Sequence, residues 1–496
     1  MRRFLLPPLA ALICAALLCG ALGGCSREPQ AGEGFRFPLA AEPRSLDPQT
    51  ASDDAARTVI DNLFEGLCAV QNGVVVPAAA DWSVSADGRA YAFTLRASAW
   101  SSGDPVTADD FLFAYERTID PVTASPYAAV FAGVTAVEAP DAHTLRVTLA
   151  APDPHFLESI AEGAWYPCPR AFFAECGGGW GMEAKKSRQN GAFTLRSWEH
   201  DRSLLLRRNE QYHAADEIAP GAVRFVIGAE ESVSSLTDGT LDGCALPEGA
   251  DTGEITVSEV PDTLLYLWFN TTVSPLNNAA VRRTLRDAIE WETVNAALPG
   301  VPCASYVSPA ATWHGEAFAS ALPPHATAPD RAAFTAQIEA MGLPGCPTLT
   351  LLCADDADSV RVAQYIAQSW QKHYALYFTI ESLPAAKLTA RLTAGNYHLA
   401  IASATARGDS PADALLLFDG TADEGNRARY QDASWAASAR AAESVAELCA
   451  AEQALAEACP AVPLAAVTRR FGFAADVSGV SVAPFTSHFD FRRAKR

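Results

Sequence analysis

Thiols and imidazoles are the side chains here with the widest chemistry, so their spacing comes first. Nine cysteines follow Cys25: Cys68, Cys168, Cys176, Cys244, Cys303, Cys346, Cys353, Cys449 and Cys459. An odd number forbids complete pairing within the chain. Cys449 and Cys459 lie in an Ala/Glu-rich helical stretch, where ten residues separate them by about 15 Å, beyond the ~7 Å that a disulfide spans. Cys346 and Cys353 sit at opposite ends of an apparent strand, Thr348 to Leu352, and are too far apart if it is extended. Cys168 and Cys176, across Pro169 and a turn-prone segment, are the local pair within reach. Most of the thiols read as small buried apolar groups. The histidines, from His143 to His488, are scattered with no spacing that makes a metal pair, and His398 at a strand start reads as structural. There is no Gly-x-Ser-x-Gly elbow, His-Glu-x-x-His, glycine-Lys phosphate loop or Cys-x-x-Cys. Gly177-Gly178-Gly179 precedes Trp180 and no helix start, so it reads as a turn. The expectation is a protein that is not an enzyme, with no catalytic residue, metal or cofactor.

The elements around these residues form a mixed α/β chain. Residues 1–24 have the anatomy of an export signal: Arg2 and Arg3, then an apolar run from Phe4 to Leu22, then Leu22-Gly23-Gly24-Cys25. Pro7, Pro8 and Gly20 in that run argue against a membrane-spanning helix. The small-small-Cys junction resembles the lipobox of bacterial lipoproteins, which implies cleavage, acylation of Cys25 and a membrane anchor made of lipid rather than protein. The remainder is long enough for two or three domains of roughly 100–200 residues each. The full chain's formal net charge of −21, with the acids dispersed, argues for a solvated surface and against nucleic acid as a partner. After a polar tether, residues 25–34, strands are expected at Phe35 to Leu39, Tyr91 to Arg96 and Thr144 to Leu149. The last two alternate, with Tyr91, Phe93 and Leu95, and Leu145, Val147 and Leu149, each set on one face. Helices are expected at Asp53 to Leu67, Ala108 to Thr118, Ala279 to Leu298, Asp358 to His373 and Ser434 to Ala458. Val360, Ala363, Ala367 and Trp370 mark a core stripe on the fourth. Strands at Thr348 to Leu352 and Ala375 to Glu381 flank that helix, which reads as a βαβ unit with a parallel pair.

Several ordered segments carry a resemblance. They are Glu42-Pro43-Arg44-Ser45-Leu46-Asp47-Pro48, Asn62-Leu63-Phe64-Glu65-Gly66-Leu67, Trp82-Ser83-Val84-Ser85-Ala86-Asp87-Gly88 and Trp100-Ser101-Ser102-Gly103-Asp104-Pro105-Val106-Thr107-Ala108-Asp109-Asp110-Phe111. Thr123 to Tyr127, Asn190-Gly191-Ala192-Phe193, Arg208 to Tyr212, and Trp268-Phe269-Asn270 before Val281-Arg282-Arg283 follow in order. Together they resemble the bacterial peptide-binding lipoproteins of oligopeptide, dipeptide and nickel ABC importers. Much of each motif is scaffold by its own physics. Asp87-Gly88 is a hairpin turn, and Thr107 is a helix N-cap with Asp110 three residues on.

The resemblance implies a two-lobed periplasmic-binding-protein fold of mixed sheets flanked by helices, with an extra subdomain. Its lobe I would hold residues 35–68, 190–267 and 469–496, the inserted subdomain 69–189, and lobe II 268–468. It implies a monomer that closes by a hinge on a peptide or peptide-like solute and delivers it to an ABC permease complex, facing the periplasm or cell exterior. In the oligopeptide binders an aspartate in lobe II grips the ligand's ammonium. Aligned on Gly395-Asn396-Tyr397 and Pro411, that aspartate falls on Arg407, the family's wall tryptophan on Ala404 and its tyrosine on Gly408. Unit charges 4 Å apart at a surface-like dielectric interact by about 4 kcal/mol, so the reversed sign defeats the usual anchor. Three alternatives stand: Asp409 shifts into the vacated place, Arg407 clamps an anion, or Arg407 pairs with Asp409 or points to solvent. Asp53 and Asp54 are either a further candidate amine site or simply acids in the first turn of a helix, and Tyr127, Trp268 and Asn270 are candidates for either cavity wall or lobe packing. The alternative function is a surface interaction or sensing lipoprotein that keeps the scaffold but has lost the usual peptide ligand.

Overall fold

The computed structural model describes residues 34–71, 74–161, 163, 165–247, 250–406, 408–420, 426–482, 484–485 and 489–496. Cys25, the export signal and Arg407 lie outside them.

The chain opens on the strand Phe35–Leu39, which pairs in parallel with Ala222–Ile227. Ser203–Arg208 and Phe193–Glu199 extend this to a four-stranded sheet. Between them in sequence, Ala80–Val84, Ala90–Leu95, Thr144–Leu149 and Val134–Asp141 form a second, antiparallel four-stranded sheet. Alternation does what the sequence predicts, because Tyr91, Phe93, Leu95, Leu145, Val147 and Leu149 are all buried. Gly88, at φ 68°, turns the first hairpin, where the left-handed backbone region suits a residue without Cβ. Helix Ala108–Ile119 begins at Thr107, whose N–H donates to the Asp110 carboxylate at 2.8 Å. One apolar core joins both sheets.

A seven-stranded mixed sheet organises the rest. Its order is Gly243–Leu246, Ala461–Phe473, Thr256–Phe269, Leu399–Thr405, Leu349–Ala354 and Phe378–Leu383, with Val301–Pro302 beside Ala461–Phe473. Along Thr256–Phe269, Leu264, Tyr266 and Trp268 enter one core while Leu265, Leu267 and Phe269 enter another. The sheet is therefore covered on both faces, which explains its near-continuous apolar strands. The βαβ unit is present: Leu349–Ala354 and Phe378–Leu383 pair in parallel, joined by helix Ala357–Tyr374. The buried face of that helix runs through Val362, Ala363, Ile366, Ser369, Trp370 and Tyr374, so Val360 and Ala367 flank the stripe instead of centring it.

Thr256–Phe269 and Ala461–Phe473 run through both halves of the molecule. Val260, Phe471 and Phe473 pack in the first core, and Leu264 and Ala466 in another. Their pairing shifts register between Val260 and Thr263, where Asp262 forms an ion pair with Arg469 and accepts the Phe485 N–H at 2.7 Å. The expected lobe boundaries at 267/268 and 468/469 fall inside these two strands.

Three expected helices are shorter. The first ends at Leu63. The second divides into Ala279–Asp287 and Trp291–Asn295. The third divides into Ala433–Arg440 and Val445–Ala458, because Ser444 caps a new helix by accepting from the Glu447 N–H. All nine described cysteines are free thiols. Cys168 and Cys176 do not bond: helix Arg170–Glu175 separates them, Arg117 donates to the Cys168 sulfur at 3.4 Å, and the Cys176 thiol points to the Lys186 carbonyl. No helix among the described residues is long and apolar enough to cross a membrane.

Candidate functional site

The strand Leu399–Thr405 has two unlike flanks. Thr263 to Phe269 pair along its whole length, whereas Leu349–Ala354 pairs with it only at Leu399 and Ala400. Among the described residues no strand covers the second flank of Ile401 to Thr405. Such an edge is what an extended ligand needs to add main-chain hydrogen bonds to a sheet. Arg427 lies at this strand, donating to the Ser403 carbonyl, with its guanidinium 5.9 Å from the centre of the Trp268 ring. Burial pulls its pKa down, and no carboxylate among the described residues pairs with it.

Beyond the edge the chain turns and enters helix Pro411–Leu416. Ser410 caps it by accepting from the Ala412 N–H, and Pro411 occupies the first turn, where its missing N–H is harmless. The Asp409 carbonyl accepts from the Thr312 N–H at 2.8 Å. Asp409 is partly buried, and burial raises its pKa. Asp413, one helical turn on, is pushed up to about 7 by burial, then by Asp409 and Glu158, with His155 opposing. Glu158 and His155 belong to the other half of the molecule. His155 places Nδ1 2.8 Å from Glu158 and Nε2 3.0 Å from the Ala442 carbonyl, and its ring lies 5.7 Å from that of Trp313. Three carboxylates from two sides thus converge where the two halves touch.

The remaining candidates sit elsewhere. Asp53 is the N-cap of helix Asp54–Leu63 and accepts from the Ala56 N–H at 2.9 Å, while Asp54 is exposed in its first turn. Tyr127 donates to the Ala51 carbonyl at 2.6 Å, with the Arg57 guanidinium 5.5 Å from its ring. Arg57 in turn pairs with Asp61 at 3.1 Å. Trp268 is fully buried, donates to the Ala402 carbonyl at 2.9 Å and stacks on Phe418. Asn270 is buried too, its amide donating to the Gly395 and Tyr397 carbonyls at 3.0 and 2.9 Å. Ala404 is half-buried opposite Leu264. Asp409 is therefore the described candidate brought into the carboxylate cluster, and Trp268 and Asn270 spend their polar atoms on backbone. His155, Glu158, Asp413 and Arg427 escaped the sequence reading. The run Asp409-Ser410-Pro411-Ala412-Asp413 was a usable signal for two acids flanking a helix start, but nothing local joins it to Glu158.

Residues 74–426 match the model of the bacterial extracellular solute-binding proteins, family 5 Middle. Among curated relatives, the probable deoxycholate-binding periplasmic protein YgiS of Escherichia coli is 31% identical over 290 residues, 52% of this chain and 54% of that protein. The dipeptide-binding protein DppE of Bacillus subtilis is 28% identical over 313 residues, 55% of this chain and 57% of that protein. The matches thus span about half the length of these curated relatives. Among solved structures, the murein tripeptide binding protein MppA of Escherichia coli superposes with a TM-score of 0.72 at 25% identity, covering 93% of this chain and 98% of that one. Haemophilus influenzae OppA, in complex with the peptide RPPGFSPFR, gives 0.71 at 22%, covering 93% and 98%. The architecture is that of the two-lobed periplasmic peptide-binding proteins, and the chain belongs to the bacterial extracellular solute-binding proteins of family 5.

Proposed function

We propose that this chain is the solute-capturing subunit of an ABC-type importer, exported and held to a bacterial membrane by lipid on Cys25, which closes its two lobes on an extended peptide or peptide-like solute. The observation that carries the reading is that no described strand pairs with the second flank of Ile401 to Thr405, next to a carboxylate cluster and to Arg427. Main-chain pairing along that edge supplies affinity with little side-chain selectivity, and the charged groups at its end set orientation. Closure follows because a solute touching both lobes binds the closed state better, and only that difference moves the equilibrium. The division into lobe I, the inserted subdomain 69–189 and lobe II belongs to this proposal, with the register shift around Asp262 as its hinge.

A thermal-shift screen of short peptides, modified peptides, small anions and bile acids tests the reading. Stabilisation by one class and not the others identifies the solute; folded protein that responds to none would leave the surface-interaction alternative. Arg407→Asp separates the anchors, because a solute held there by an anionic group loses affinity, while unchanged affinity removes Arg407 from recognition. For the lipid, Cys25→Ala should release the protein from washed membranes.

A further inference from the structure

His155 makes two hydrogen bonds whose partners can both only accept. Its Nδ1 lies 2.8 Å from a Glu158 carboxylate oxygen and its Nε2 lies 3.0 Å from the Ala442 carbonyl. A neutral imidazole carries one N–H, so with Nε2–H on Ala442 the Nδ1 lone pair would face an ionised carboxylate. The contact is complete only with one more proton, on the ring or on Glu158. Ala442 belongs to the core around the seven-stranded sheet, and helix Phe156–Ala161, which follows His155, packs into the core of the two four-stranded sheets. The bond therefore joins the two halves of the molecule.

We propose that His155 is a proton-operated latch between the lobes: closing brings it against Ala442 and takes up a proton, and losing that proton loosens the closed form. The charges around it agree. Asp153 shares its turn and accepts the His155 N–H at 2.9 Å, Glu158 lies on its own helix, and Asp409 and Asp413 approach from the opposite lobe. His314 is exposed beside Trp313, Glu443 follows Ala442 with its N–H on Glu447, and Arg440 is paired with Asp419. The groups tied electrostatically to His155 are thus acidic and favour the imidazolium. Its pKa is raised, first by the bond to Glu158, against burial. A raised imidazole stabilises the contact fully below its ordinary value near 6.5, and that support is lost as pH rises through the raised value. The latch does not depend on which solute fills the cleft, so the test needs none.

Hydrogen exchange of the full chain, corrected for intrinsic rates, reads segments 153–161 and 441–447 at pH 6 and pH 8.5. Protection in both should fall several-fold at the higher pH, at about tenfold per unit of pKa difference between closed and open forms. Glu158→Gln should stay protected at both values, because its amide N–H can donate to a neutral Nδ1 while Nε2–H keeps Ala442. Asp413→Asn removes one of the acids that favour the imidazolium and should move the loss of protection to lower pH without abolishing it, and His155→Ala should be unprotected at both. Wild-type protection that ignores pH would overturn the latch. So would Glu158→Gln with the wild-type pH dependence, or an Asp413→Asn variant that has lost it.

Discussion

At Asp413 a carboxylate lies behind the strand edge with Asp409 and Glu158 for neighbours, and the native state keeps a proton there up to a pH of about 7. The unfolded chain releases it near 3.8, so the folded form binds more protons across that interval and its stability falls as pH rises from about 4 through 7. Asp413→Asn removes the penalty. Its denaturation midpoint should match wild type near pH 4 and exceed it above pH 7, by up to a few kcal/mol at about 1.4 kcal/mol per unit. A solute of the proposed kind that placed a cationic group at this cluster would relieve the same repulsion. Trp268 is the opposite case. With its ring fully buried and its indole N–H satisfied by Ala402, Trp268→Ala should cost about 3–5 kcal/mol in denaturant titrations. Any change in affinity would then follow lost packing under the strand rather than a lost ligand contact.

At the scale of elements, what was legible in the sequence was what repeats with a period. The alternating strands at Tyr91 and Thr144 and the βαβ unit around Ala357–Tyr374 were read correctly because buried faces impose periods of 2.0 and 3.6. What was missed is punctuation inside polar or alanine-rich runs, where no apolar period marks an end. Ser444-x-x-Glu447 is such a mark: Ser444 Oγ accepts from the Glu447 N–H while the Glu447 carboxylate accepts from the Glu443 N–H. Ser444→Ala should cost roughly 0.5–2 kcal/mol and fray the first turn of Val445–Ala458, seen as faster amide exchange there. The carboxylate cluster was illegible for another reason. Asp413 and Glu158 stand far apart in the chain and meet only because two separately built bodies touch, and no local pattern records that.

Across the whole molecule, two strands carry the backbone from one core to the next, and Asp262 stands where their pairing slips. It holds both the Arg469 guanidinium and the Phe485 N–H, so Asp262→Ala removes an acceptor from two segments at once. The expected result is a destabilised junction, read as earlier thermal unfolding together with weaker solute-induced closure. The free thiols have a consequence at this scale as well. Burial lifts Cys68 and Cys168 to about 12 and Cys244, Cys346, Cys353 and Cys459 to about 11, which leaves almost no thiolate at neutral pH. A thiol reagent should label these six cysteines slowly in the native protein and readily in the denatured one. Packing, not pairing, is then what keeps these sulfurs inert. A chain crossing to an oxidising compartment would race its own sulfur chemistry, and recovery from denaturant should depend on a reductant until the cores have closed over the thiols.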